Sequence, residues 1–156
     1  MNLLQAQRLA RGLMDQYGLT KRGWHFDLDK AKTRFGSCRH RSRIITLSRA
    51  LTEANEEAEV KDTILHEIAH ALVGPGHGHD EVWKAKCREI GCRDQRCYTH
   101  EYVIPVKAKY VATCEACGQT FERHKKTPRG RSYACRCQSH IAWGSPEKKI
   151  LKYTVA

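Results

Sequence analysis

The chain has 156 residues, 40% hydrophobic and 29% charged, a balance that is typical of a folded protein and excludes a disordered one. Its Lys and Arg residues exceed its Asp and Glu residues by 11, and this excess favours a polyanionic partner such as nucleic acid. The N-terminus lacks the apolar core of a signal peptide, and no stretch approaches the roughly 20 apolar residues of a membrane span, so we expect a cytoplasmic protein, nucleoid-associated if bacterial or viral, with no membrane partner.

The first predicted element is an amphipathic helix over residues 2–17, in which leucines recur near helical spacing. Three short β-prone segments follow, and we expect them to form a small antiparallel sheet. These predicted strands cover residues 24–29, 34–38 and 43–48.

A long helix is predicted next, ending at Val73 before a Gly-Pro-Gly sequence that breaks helices. Thr52 and Asn55 are both suitable N-cap residues for its first turn. A shorter helix is predicted over residues 80–90, and residues 101–113 are again β-prone.

The charge distribution indicates two domains, residues 1–104 and residues 105–156. The second predicted domain holds 11 Lys and Arg residues but only 3 Asp and Glu residues, so most of the excess positive charge lies there.

A catalytic metal site is indicated by His66 and His70, which lie four residues apart in the predicted long helix. At this spacing both side chains project from one face and can bind one metal ion. Glu67 follows the first histidine and can reach a water held by that ion. The pattern H-E-x-x-H is the signature of zinc metallopeptidases, in which the glutamate is the general base.

A catalytic zinc needs a third protein ligand, and four residues are candidates: His77, His79, Glu81 and Glu89. His79 is preferred because it stands at the start of the next predicted helix, which the glycine-rich turn can bring back over the metal. His77 is the alternative, although it lies one residue beyond the metzincin position. A glutamate from the following helix is the third option.

Three segments resemble the SprT-like metallopeptidases, the group that includes Spartan. They are Phe35-Gly36-Ser37-Cys38 with residues 44–51, residues 63–72 around H-E-x-x-H, and residues 79–83. In that family a third zinc-binding histidine is followed four residues later by Trp or Phe, which matches His79 and Trp83. The family usually has Gly directly after this histidine, where this chain has Asp80.

The resemblance implies a protein of the α+β class. It would have a zincin-like metallopeptidase domain with an N-terminal helix, a short antiparallel sheet, the H-E-x-x-H helix and a following helix, and then a small β zinc ribbon. It also implies a zinc-dependent endopeptidase that acts on DNA-associated proteins, including the repair of DNA–protein crosslinks. Two alternatives are a YgjP-like metal-dependent hydrolase, whose family generally lacks the ribbon, and a non-proteolytic zinc-dependent DNA-binding module. We expect a monomer.

Four of the eight cysteines form two close pairs, which are typical of a structural zinc site in a reducing compartment. The expected ligands are Cys114, Cys117, Cys135 and Cys137. His140 or His124 could replace the last of these, because the second pair has C-x-C rather than C-x-x-C spacing. The distance between the pairs suits a ribbon in which two hairpins meet across the metal.

A basic loop lies between the two cysteine pairs, where we expect it to join two strands of the ribbon, with Tyr133 beside it and Trp143 after it. Its cations can neutralise phosphates, and the aromatic rings can stack on bases. The residues expected to contact DNA are Lys125, Lys126, Arg129 and Arg131.

Overall fold

A computed structural model describes residues 1–95 and 103–156 of the protein, and it divides into two compact units. Unit 1 is Met1–Val106 and unit 2 is Lys107–Ala156, so the division falls two residues after the one expected from the charge distribution. Among the described residues, none of the helices has the length and apolar character that a membrane crossing needs.

Unit 1 begins with helix α1, Leu3–Gln16, close to the predicted range. The side chain of Asn2 caps it by accepting a hydrogen bond from the backbone N–H of Leu4. The helix buries Ala6, Ala10 and Met14, and the two alanines let α1 pack closely on the core.

The sheet of unit 1 contains β1 (His25–Asp29), β2 (Gly36–Arg39) and β3 (Ile44–Ser48), in the order β1-β3-β2. The strands are close to their predicted positions, but the prediction of an antiparallel sheet is wrong for one pair. β2 pairs antiparallel with β3, whereas β1 pairs parallel with β3. The tight β2–β3 connection makes a hairpin, and the largely buried β3 then takes the centre of the sheet with β1 on its free side.

Two helices follow where the sequence predicts one: α2 (Arg49–Ala54) and α3 (Glu57–Val73). Neither predicted N-cap is correct, because Ser48 caps α2 and Glu56 precedes α3. Asn55 lies between the helices in extended conformation, and its side-chain amide donates to the carbonyl oxygens of Leu51 (2.8 Å) and Ile104 (2.9 Å). These hydrogen bonds hold Asn55 in place and so stabilise the break between α2 and α3.

Helix α3 is the central element of unit 1, because it packs on α1, β2, β3 and the following helix, α4 (Glu81–Ile90). It ends before Gly74 as predicted. The side chain of Asp80 caps α4 by accepting from the backbone N–H of Trp83 at 3.0 Å. The end of α4 at the left-handed Gly91 also agrees with the prediction.

Unit 2 contains a small antiparallel sheet of β4 (Tyr110–Thr113), β5 (Thr120–Arg123) and β6 (Thr154–Val155), in the order β5-β4-β6. The prediction of two hairpins is wrong. The first cysteine pair lies at the β4–β5 hairpin, but the second lies at a 3-10 helix, Arg136–Gln138. Of the β-prone residues 101–113, the structure places only β4 in a strand, and residues 101 and 102 lie outside the described ranges.

Candidate metal centre and active site

Three histidines of unit 1 converge on one point. His66 and His70 come from α3, and His79 lies directly before the cap of α4. The Nε2 atom of His79 lies 3.2 Å from the Nε2 atoms of both His66 and His70. Three imidazole nitrogens at this separation can hold one metal ion, and they are a donor set that zinc takes in sites with three protein ligands.

The other candidate ligands face elsewhere. His77 donates from Nδ1 to the Asp80 carboxylate at 2.8 Å, and about two-fifths of its side chain is exposed. Glu81 and Glu89 pair with lysines on the exposed surface of α4. The glycines at 74 and 76, both with positive φ, reverse the chain, and it is the ring of His79 rather than that of His77 that joins the histidines of α3.

Burial determines the protonation of the α3 histidines. Burial, together with the neighbouring imidazoles, lowers the pKa of His66 to about 3 and that of His70 to about 4. Both side chains are therefore neutral at pH 7, which is the form that binds a metal.

Trp83 packs against all three histidines. Its side chain is completely buried, and its ring centroid lies 4.7 Å from that of His66, 5.1 Å from that of His70 and 4.5 Å from that of His79. The indole is stacked on His70 and edge-on to the other two rings. The aromatic residue at this position thus supports the geometry of the ligand set.

Glu67 is 6% exposed and lies against strand β2. A Cβ atom built on Gly36 would stand 2.7 Å from Oε1 of Glu67, so only glycine leaves room for this carboxylate. Burial raises the pKa of Glu67 to about 8, while the Arg34 guanidinium and a hydrogen bond from the backbone N–H of Cys38 act to lower it. A carboxyl group with a pKa near neutrality can both take and return a proton.

The role of the Gly36-Ser37-Cys38 segment was not found by reasoning from the sequence. The resemblance to the SprT-like family singled out this segment, but only the packing of the structure shows that it contacts the side chain of Glu67. The Sγ atom of Cys38 lies 3.7 Å from Nε2 of His40. Burial raises the pKa of the Cys38 thiol to about 12, with a further contribution from Glu67, so this thiol stays protonated and is no nucleophile.

The four late cysteines also come together. Sγ of Cys114 lies 3.7 Å from Sγ of Cys137, and Sγ of Cys117 lies 3.7 Å from Sγ of Cys135. All four sulfur atoms lie within 4.8 Å of one another and could hold a metal ion. The alternatives His124 and His140 are not part of this group.

Backbone amides support the first cysteine pair. Burial acts to raise the pKa of Cys114, but hydrogen bonds from the backbone N–H groups of Ala116 and Cys117 lower it to about 7. The N–H of Gly118, which has φ 73°, donates to the carbonyl of Cys114 at 2.8 Å and closes the turn. A turn that stabilises thiolate fits a metal ligand.

The basic loop of unit 2 follows β5 and leads to the 3-10 helix, so it does not join two adjacent strands as expected. Its four cations are exposed, and none forms an ion pair among the described residues. The two aromatic residues that were predicted to stack on bases differ in their surroundings. The centroid of the Tyr133 ring lies 4.3 Å from the Arg123 guanidinium, whereas Trp143 is 64% exposed. Trp143 is therefore the more open of these two rings, although Nζ of Lys148 lies 4.9 Å from its centroid.

The chain is similar in sequence to known proteins. The model of the SprT-like family matches residues 6–103. Protein SprT of Pseudomonas putida strain W619 is 30% identical over 105 residues, covering 60% of this chain and 63% of that protein. Protein SprT of Pseudomonas entomophila strain L48 is 27% identical over 110 residues, covering 64% of this chain and 67% of that protein. The chain thus spans just under two thirds of the first of these relatives.

Proposed function

Because the chain belongs to the SprT-like family, we propose that it is a zinc-dependent endopeptidase with a zincin-like catalytic unit and a zinc ribbon. One observation carries this proposal: three histidine Nε2 atoms converge on one point, and the buried Glu67 directly follows the first of these histidines in α3. Three metal ligands and one general base are the groups that a metal-dependent site needs to hydrolyse a peptide bond.

His66, His70 and His79 would hold the catalytic ion. Zinc supplies Lewis acidity to such a site. Glu67 acts as general base: one carboxylate oxygen takes a proton from the attacking water, and the same group then gives it to the leaving amine. The contact with Gly36 and the hydrogen bond from Cys38 hold this carboxylate in one place through the reaction.

The four cysteines of unit 2 would hold a second, structural ion. The core of this unit contains only Ala112, Leu151 and two of the cysteines as fully buried members, with three aromatic residues packed against it. So small a core provides little hydrophobic stabilisation, and a bound ion would supply folding free energy. Two metal ions per chain are therefore expected, one catalytic and one structural.

DNA is the proposed partner, and proteins bound to DNA are the proposed substrates. The exposed cations of the basic loop support this, since Lys125, Lys126, Arg129 and Arg131 have no acidic partners among the described residues. Binding to DNA would raise the local concentration of protein attached to the same DNA, so the active site need not read a peptide sequence. Removal of crosslinked protein by a cytoplasmic or nucleoid-associated monomer follows as the proposed role.

The test uses Glu67→Gln, which keeps the shape of the side chain and removes the base. Cleavage of a DNA-bound protein should be lost while the metal content stays at the wild-type value. Glu57→Gln, an exposed change in the first turn of the same helix, is the control and should retain activity.

A wild-type protein that hydrolyses no peptide, with or without DNA, would contradict the proposal and favour a non-proteolytic zinc-dependent DNA-binding module. A protein that hydrolyses small substrates regardless of DNA, and spares DNA-bound proteins, would instead favour a hydrolase of the YgjP-like kind.

A further inference from the structure

A strongly charged surface also lies on unit 1, on two segments that are distant in sequence. Residues 19–26 and 39–44 contain five Lys and Arg residues and no Asp or Glu. We name this surface the basic corner, and all five side chains are exposed. Its members are Lys21, Arg22, Arg39, Arg41 and Arg43.

Contacts that involve no acidic group hold the two segments together. Nη1 of Arg43 donates to the carbonyl oxygen of Arg22 at 3.0 Å, and the backbone N–H of His25 donates to the carbonyl of Arg43 at 2.8 Å. The His40 ring is edge-on to the Trp24 ring, with centroids 5.6 Å apart. These contacts bring the ends of the 3-10 helices Thr20–Arg22 and His40–Ser42 close to each other.

The positive charge of the basic corner is not neutralised within the described part of the chain. None of its five members forms an ion pair there, whereas Arg34, Arg88 and Arg93 of the same unit each pair with a carboxylate. Like charges held close together repel one another, and an external polyanion would relieve that repulsion.

The backbone at Arg43 supplies a second, independent observation. Arg43 has φ 49° and is the single non-glycine residue with positive φ among residues 1–95 and 103–156. This conformation costs about 1–2 kcal/mol for a residue with a Cβ, and glycine would avoid the cost. Such strain tends to persist at ligand-binding positions, and here it occurs at the residue whose guanidinium contacts the other segment of the basic corner.

The basic corner adjoins the candidate active site. His40 lies within it, and its Nε2 is 3.7 Å from Sγ of Cys38. The backbone N–H of the same cysteine donates to the carboxylate of Glu67. Cys38 therefore contacts both His40, which lies between Arg39 and Arg41 of the basic corner, and Glu67, the proposed general base.

We propose that the basic corner binds the phosphodiester backbone of nucleic acid directly beside the active site. A nucleic-acid strand presents a phosphate about every 3.4 Å along its axis, so a cluster of five cations can meet several phosphates at once. Arginine, which supplies four of the five, binds phosphate oxygens with two parallel hydrogen bonds. The inference rests on the proposed function for the identity of the polyanion, and it adds that the catalytic unit itself contacts nucleic acid.

The experiment compares two triple variants of the full-length, metal-loaded chain. The first removes three charges from the basic corner and leaves Arg22 and Arg43, whose contact joins the two segments, unchanged. It consists of Lys21→Gln, Arg39→Gln and Arg41→Gln. The control removes the same charge from exposed positions of α1 and α3 in the same unit. It consists of Arg8→Gln, Arg11→Gln and Lys61→Gln.

Affinity for a labelled DNA duplex is measured between 50 and 200 mM salt. If the three cations each contact a phosphate, the wild type should lose about 40-fold more affinity over this range than the first variant, because about 0.9 counterion is released per phosphate contact. The control should follow the wild type. Thermal unfolding identifies a variant that fails to fold, and Arg41→Glu alone then replaces the triple variant, with a several-fold loss of affinity expected.

Equal salt dependence in the wild type and the first variant overturns the proposal. Unchanged DNA affinity, together with selectively slower cleavage of an acidic peptide, also overturns it and makes the basic corner a peptide subsite. Binding is measured without cleavage, so a chain that binds DNA through the basic corner but hydrolyses nothing would refute the proposed peptidase and leave this inference standing.

Discussion

Replacing Gly36 by alanine should disable the site while leaving its metal ligands in place. The new Cβ would stand 2.7 Å from Oε1 and 2.8 Å from Cγ of Glu67, and 2.9 Å from Cγ2 of Thr63. Ordinary contacts between such atoms are about 3.5 Å or longer, so the carboxylate must move by roughly 0.7 Å or more. Gly36 has no positive φ, so its backbone conformation suits alanine and the effect is one of space.

A displacement of about 1 Å at a catalytic group can cost about 100-fold in rate, so we expect kcat to fall roughly 30- to 100-fold, or about 2–3 kcal/mol in activation free energy. Overpacking should also lower the free energy of unfolding by about 1–3 kcal/mol. The assay measures kcat and KM on one peptide substrate, together with metal content and thermal unfolding. Metal content should stay at two ions per chain, because the ligand set is untouched.

Two further variants separate catalysis from stability. Gly12→Ala places a Cβ in open space on α1, and it should preserve kcat and slightly stabilise the helix. Adding Thr63→Ser to Gly36→Ala removes one of the three close atoms and keeps the hydroxyl that donates to the carbonyl of Glu59, so it should recover stability but not kcat. Wild-type kcat in Gly36→Ala, or recovery of kcat together with stability, would refute the positioning argument.

The remaining predictions concern the two metal sites. His79→Ala should lower the metal content from two ions per chain to one, whereas His77→Ala should leave two, as measured by atomic absorption; the reverse pattern would reassign the third ligand. Cys135→Ser should remove the other ion and abolish the folded state of unit 2 while hydrolysis of a small peptide by unit 1 continues, which limited proteolysis and a peptide assay can check. Trp83→Ala should lower the free energy of unfolding by about 3–5 kcal/mol, because it opens a cavity, and it should also weaken metal binding. Both effects should be smaller in Trp83→Phe. Unaltered metal affinity in the alanine variant would argue against a supporting role for the indole.

Local periodicity explains what could be predicted about the site. Helix geometry alone places His66 and His70 on one face, and a short turn before the next helix limits where His79 can go. The ends of α1 and α4 follow from Asn2, Asp80 and nearby glycines, because capping is a property of a few neighbouring residues.

Features that depend on distant partners could not be predicted. The break at Asn55 depends on the backbone of Ile104, 49 residues later. The parallel pairing of β1 with β3 is decided by which strand takes the centre of the sheet, and no local pattern encodes that choice. The contact of Gly36 with Glu67 joins two elements separated by about thirty residues, so the space requirement is visible only once α3 packs on β2.

Asp80 gives the three-histidine site a property that follows from helix capping. Its carboxylate oxygens bond the backbone N–H of Trp83 and the ring of His77, which fixes the chain on both sides of His79. A ligand held in this way has already lost most of its conformational freedom before the ion arrives, so less entropy is lost on binding. The proposed third ligand is therefore preorganised by Asp80, which stands where the resemblance to the SprT-like family led us to expect glycine.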